Sequence, residues 1–124
     1  MKRGMDDDSA LDASALASLR ALDAGVGDRL REILEIFVDD GYGLLLRIEE
    51  AAASRNARRL ESAARQLSGS GANVGAAVLA AVCMELQQRG ARGELSDLAG
   101  TLAALRKAFD RVEAEVHEAL AEGH

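Results

Sequence analysis

The segment ELSDLAGTLAALRKAFDRVEAEVHEALA, residues 94–121, carries the most regular pattern in the chain. Its apolar residues Leu95, Leu98, Leu102, Leu105, Phe109, Val112, Val116 and Leu120 recur by threes and fours. That spacing is the stripe of a helix in a bundle or coiled coil. It predicts a helix from about Glu94 to Ala121. Working back, Val78, Leu79, Val82, Cys83 and Leu86 form the inward side of a second helix, expected from about Gly75 to Arg89, with Gly90 and Gly93 marking the turn after it. Asn56 is an N-cap candidate. Leu60, Ala63, Ala64, Leu67 and Gly71 share one face of the helix it opens. The glycine-rich run from Gly69 to Gly75 is expected to loosen the chain.

Upstream, Asp28 reads as another N-cap, followed by Leu30, Ile33, Leu34, Phe37, Val38, Leu44, Leu45, Ile48 and Ala52. The phase holds through Gly41-Tyr42-Gly43, which predicts one long helix, bent or frayed at that step, although each glycine costs about 1 kcal/mol against alanine. A short extra helix is expected from about Asp12 to Ala24, stopped by Gly25 and Gly27. Residues 1–10, with Asp6, Asp7 and Asp8, read as an acidic flexible tail. The expectation is an all-α chain. Residues 11–124 form one antiparallel four-helix bundle with a short N-terminal helix added.

Composition agrees and excludes much else. The 124 residues suit a single domain. Aromatic residues are 2%, proline is absent, and alanine and leucine number 25 and 18, a mix that favours helix over sheet. A single cysteine rules out an intrachain disulfide and a multi-cysteine zinc site. Cys83 lies among inward positions and reads as a small buried thiol. Of the two histidines, His117 flanks the last helix and His124 ends the chain, leaving little for metal or acid–base chemistry. No cofactor or metal site is expected. The net charge of −6 speaks against nucleic acid. No apolar run approaches the roughly 18 residues of a membrane span, and no signal peptide is visible, so a cytoplasmic location is expected.

One surface stands out. Arg55, Arg58, Ser62, Arg65 and Gly69 fall within about 80° of one another on the helix opened by Asn56, opposite Leu60 and Leu67. A basic stripe on an acidic chain is either a solvated face or a docking surface for an acidic partner. A glycine at its end favours close approach of another backbone.

On this helix the segment Ala63-Ala64-Arg65-Gln66-Leu67-Ser68-Gly69-Ser70-Gly71-Ala72-Asn73-Val74-Gly75-Ala76 resembles the signature of histidine-containing phosphotransfer (HPt) domains, Ala-His-x-Leu-Lys-Gly-Ser-Ser-Ala-Asn-Leu-Gly-Ala. Leu34-Glu35-Ile36-Phe37-Val38-Asp39-Asp40 is similar to that family's Leu-x-x-Phe-x-x-Asp helix, and Leu79 to Leu86 to its next helix. The resemblance implies a bacterial phosphorelay protein whose partners are a response-regulator receiver domain or a histidine kinase. It places the phosphoacceptor position on Arg65 and the family's lysine on Ser68, and it keeps the glycine as Gly69. A guanidinium stays protonated and has no lone pair with which to attack phosphorus. The implied function is therefore that of an HPt-like domain without phosphotransfer chemistry, not an enzyme. Such a domain acts as an adaptor, decoy or inhibitor through Arg58, Ser62, Arg65, Gln66, Ser68 and Gly69. A monomer is expected rather than a dimer. The competing reading is an assembly module that pairs chains through the stripe from Leu95 to Leu120; phosphotransfer through His117 is a further alternative.

Overall fold

The computed structural model describes Leu11 and residues 28–122. The expected tail over residues 1–10 and the expected helix from Asp12 to Ala24 lie outside these residues. Four helices make up the described fold: α1 (Asp28–Ala53), α2 (Ala57–Asn73), α3 (Ala77–Arg92) and α4 (Ala99–Glu122). No strand occurs among the described residues. Each helix packs on the next, and α4 closes the ring against α1, as short antiparallel connections require.

The predicted stripes meet in one core, except that Val78 of α3, expected on the inward side, is exposed. Leu34, Leu45 and Ile48 of α1, Leu60 and Leu67 of α2, Leu79, Cys83 and Leu86 of α3, and Leu105, Phe109, Val112 and Val116 of α4 are all buried. Val82 and Leu102, expected in the centre, pack at its rim. The α4 stripe thus faces the chain's own interior. Leu11 is also buried, and its N–H donates to Glu115 Oε1 at 3.0 Å.

Helix α1 runs unbroken through Gly41 and Gly43. Gly41 is there for packing: a Cβ would stand 2.9 Å from Phe109 Cε1, so the ring lies directly on the α1 backbone. Phe37 and Tyr42 flank it, with ring centroids 6.4 and 6.3 Å away.

Helix ends depart from the expectation in three places. The run from Gly69 does not loosen the chain, because α2 continues to Asn73. Buried Leu67, Gly71 and Val74 pin it, and closure comes only at Gly75, whose φ is +79°. There Ala76 N–H donates to Gly71 O at 2.8 Å and Gly75 N–H to Ala72 O at 3.1 Å, a Schellman pair. Gly90 does not begin a turn. It lies inside α3, and Gly93, with φ +69°, is the residue that ends the helix. Finally, α4 starts at Ala99 rather than Glu94. The Arg89 guanidinium takes the carbonyls of Glu94 and Ser96, and Asp97 adopts φ +58°, so the preceding residues are held out of helix.

Candidate functional site

Asn56 caps α2 as expected: its Oδ1 accepts from Arg59 N–H at 3.1 Å. The cap fixes where α2 begins, and the Leu60/Leu67 face fixes its rotation. Together they turn Arg65 outward. Its side chain is 59% exposed, and Nη2 lies 3.4 Å from Glu61 Oε2 one turn back. Exposed ion pairs of this kind are worth well under about 1 kcal/mol, so Arg65 is free to reach a partner. Arg58, Gln66 and Gly69 are exposed and Ser62 is half-buried beside them.

Two residues of the expected surface fall elsewhere. Ser68 is buried, and its hydroxyl donates to Ala80 O of α3 at 3.2 Å. At 100° per residue it is rotated about 60° from Arg65 toward α3, which is enough to carry a short side chain under the neighbouring helix. Arg55 is not on α2 at all. It sits in the α1–α2 connection with φ +57°, where Arg55 N–H donates to Ala52 O and Asn56 N–H to Ala51 O.

The structure adds a second wall that the α2 pattern could not show. An open trench runs between α1 and α2, lined by Asp39, Asp40, Gly43, Leu44 and Arg47 on one side and Arg65, Gln66, Gly69 and Ser70 on the other. It continues past Arg47 toward Glu50, Ser54, Arg59 and Ser62. The signal was present in the sequence. Asp40, Gly43 and Arg47 are spaced by three and four and share one stripe of α1. Their neighbours Leu44 and Ala51 belong to the core, which brings that stripe to the edge facing α2.

The trench is zoned by charge. Asp39 and Asp40 occupy the end near Gly69 and Ser70, and Arg47 stands about 10 Å further along α1. The other flank of α1 is fixed by Arg106 of α4. Its Nη2 and Nε bind Glu49 Oε1 and Oε2 at 2.7 and 3.1 Å, and its guanidinium lies 5.9 Å from the Tyr42 ring centroid. The Glu49 hydrogen bonds hold the Arg106 guanidinium above its usual pKa.

No imidazole or thiol lines the trench. His117 lies in a groove between α1 and α4, with Glu35, Val38 and Asp39, and Asp39 also borders the trench. Cys83 is fully buried, and burial pushes its thiol up to about 12. No group of three His, Cys, Asp or Glu side chains among the described residues can hold a metal ion. No described helix is long and apolar enough to cross a membrane. The geometry offers guanidinium, amide and hydroxyl donors over an open floor. The guanidinium and amide donors can pair with anionic groups of a partner, beside the carboxylates of Asp39, Asp40 and Glu50.

Known proteins bear on this surface. The Hpt domain family model matches residues 32–115, a span that includes both walls of the trench. The crystal structure of histidine-containing phosphotransfer protein B from Pseudomonas aeruginosa PAO1 superposes with a TM-score of 0.83 at 27% identity, covering 93% of this chain and 97% of that one. A rice protein described as a histidine-containing phosphotransfer protein superposes with a TM-score of 0.83 at 21% identity, covering 97% of this chain and 86% of that one. At that identity the rice structure speaks to the fold alone. It also comes from a plant, so the fold is not confined to bacteria. No curated protein sequence matches significantly.

Proposed function

The chain belongs to the Hpt domain family, and from that premise we propose that it is a phosphorelay docking protein that carries no phosphoryl group itself. It binds a response-regulator receiver domain or a histidine kinase through the α1–α2 trench, as an adaptor, decoy or inhibitor, in the cytoplasm. The observation that carries the reading is the exposure of Arg65 on the outward side of α2, at the position that the sequence resemblance gives to the family's histidine. An imidazole there has a lone pair for phosphorus; a guanidinium has none. Arg65 instead offers a forked donor to the carboxylates around a receiver's aspartate. Gln66, Gly69 and Arg58 complete the contact surface from α2, and Asp39, Asp40 and Arg47 from α1. The docking reading is preferred to the assembly reading because Leu98, Leu105, Phe109, Val112 and Val116 are buried within the chain.

The test pairs binding with transfer. The purified chain is titrated against a panel of receiver domains by calorimetry. Each receiver is also charged with labelled acetyl phosphate and mixed with the chain. The expected result is saturable binding to at least one receiver with no label on this chain. Acid-labile label on the wild-type chain overturns the loss of chemistry. Absence of binding to every receiver and to histidine kinase dimerisation domains overturns the docking role.

A further inference from the structure

Resting on that docking role, we infer that the trench recognises the phosphorylated state of the receiver, holding the aspartyl phosphate between Arg65 and Arg47 without accepting the phosphoryl group.

Donor number is the first argument. Arg65 from α2 and Arg47 from α1 line one trench, with the Gln66 amide and the Ser70 hydroxyl beside them. Arg47 makes no ion pair among the described residues, and the exposed Glu61 contact of Arg65 is easily exchanged. A guanidinium fork is satisfied by two acceptor oxygens. A carboxylate offers such forks two acceptor oxygens and a single charge. A phosphoryl group presents three acceptor oxygens and close to two negative charges at neutral pH. Two forks match it, and charge-assisted hydrogen bonds are the stronger kind.

Space is the second argument. Gly43 and Gly69 face the trench from its two walls, and a Cβ at either would meet nothing within 4 Å. Each sits inside a helix, where glycine is about 1 kcal/mol less favourable than alanine. The chain's own packing does not require them, unlike Gly41 and Gly90. A floor kept bare on both helices lets the partner's backbone come close, so that its phosphoryl group reaches Arg47 and Arg65.

Charge sets the orientation. Asp39 and Asp40 repel a dianion from their end of the trench and direct it toward Arg47 and Arg65. The hydroxyls of Ser62 and Ser70 have no imidazole beside them to act as base. This chain therefore brings no imidazole to the aspartyl phosphate that could accept the phosphoryl group.

The experiment uses the full chain and the receiver panel, each receiver with Mg²⁺ alone or with Mg²⁺ and beryllium fluoride, which caps the aspartate as a phosphoryl mimic. For the receiver that binds, the capped form is expected to bind about tenfold more tightly or better. Arg47→Ala and Arg65→Ala are each expected to bring that ratio close to one, with unchanged melting temperatures. Binding that is equally tight in both states overturns the inference and leaves the docking role standing. A preference that persists in both arginine variants also overturns it, because the receiver's own rearrangement then supplies the discrimination. Failure of every receiver in both states overturns this inference and leaves the histidine kinase as the partner that the docking role requires.

Discussion

Gly90 of α3 lies directly against the backbone of Glu61 in α2: a Cβ at residue 90 would stand 2.8 Å from Glu61 N and 2.9 Å from the Ala57 carbonyl oxygen. The two helices touch main chain to main chain at this point. That contact sets the depth and rotation of α2, and so the direction in which Arg65 leaves it. Gly90→Ala adds a methyl group with only backbone around it. Overpacking of this kind destabilises by about 1–3 kcal/mol, more than the roughly 1 kcal/mol that alanine gains in a helix. A chemical denaturation midpoint below that of the wild type is expected; a midpoint at or above it would mean the α2–α3 contact is looser than described.

The opposite sign is expected across the trench. Gly43→Ala and Gly69→Ala meet open space, so each should raise stability by about 0.5–1 kcal/mol. Both should also weaken receiver binding. Thermal melts and calorimetry on the same samples separate the two effects. A stabilised variant with unaltered affinity would show that the partner does not approach that glycine.

The bundle could be read from the sequence, because stripes such as Leu95 to Leu120 report burial directly and burial decides the fold. Helix ends were read less well. Glycine content suggested breaks at Gly69 and Gly90, yet tertiary contacts at Leu67, Gly71 and Glu61 hold both residues in helix. The candidate site was half legible. Arg65 and Gly69 follow from angular position on α2, but Ser68 was misplaced, since a 60° rotation decides whether a short side chain faces solvent or α3. The α1 wall was missed because its role depends on which flank of α1 meets α2. That is a fact of packing, which periodicity does not encode.

Arg55 holds a left-handed conformation, φ +57°, at the position that closes α1. The hydrogen bonds from Asn56 and Arg55 to Ala51 and Ala52 make the turn a Schellman closure, in which glycine is the favoured residue. Arg55→Gly should therefore stabilise the fold by about 0.5–1 kcal/mol, the difference in strain less glycine's greater unfolded freedom. Urea unfolding checks this, and a destabilised variant would mean that the Arg55 side chain contributes packing.

Burial pushes the Cys83 thiol up to about 12 from its ordinary value near 9.0. A raised pKa keeps the thiol neutral in the fold while the unfolded chain ionises first. Its contribution to stability is complete below pH 9 and is lost between pH 9 and 12. The slope approaches about 1.4 kcal/mol per pH unit in that window. Comparison with Cys83→Ala, which lacks this titration, isolates the effect. In the native protein at pH 8 the thiol should be inert to a disulfide reagent, and fast modification there would contradict the burial.

Arg65→His tests the residue-by-residue likeness to the family most directly. Arg65 is well exposed, so the substitution should change stability by no more than about 0.5 kcal/mol. The new imidazole, with a pKa near about 6.5, is largely neutral at pH 7 and has the lone pair that the guanidinium lacks. Ser68→Lys, which would return the family's lysine, does not suit this fold. Ser68 is buried with its hydroxyl on Ala80 O, and an ammonium group there would enter the α2–α3 interface. Arg47 already stands in the trench to steady phosphoryl oxygens. A receiver that binds the wild type, charged on its aspartate, should therefore pass acid-labile, base-stable label to the Arg65→His chain. Adding Arg47→Ala should slow single-turnover transfer at saturating receiver by on the order of a hundredfold, as loss of one preorganised donor does. Transfer unaffected by Arg47→Ala would place the phosphoryl group away from α1. No transfer despite intact binding would mean that the receiver's aspartate does not come to residue 65, and the docking geometry would have to be redrawn around another part of the trench.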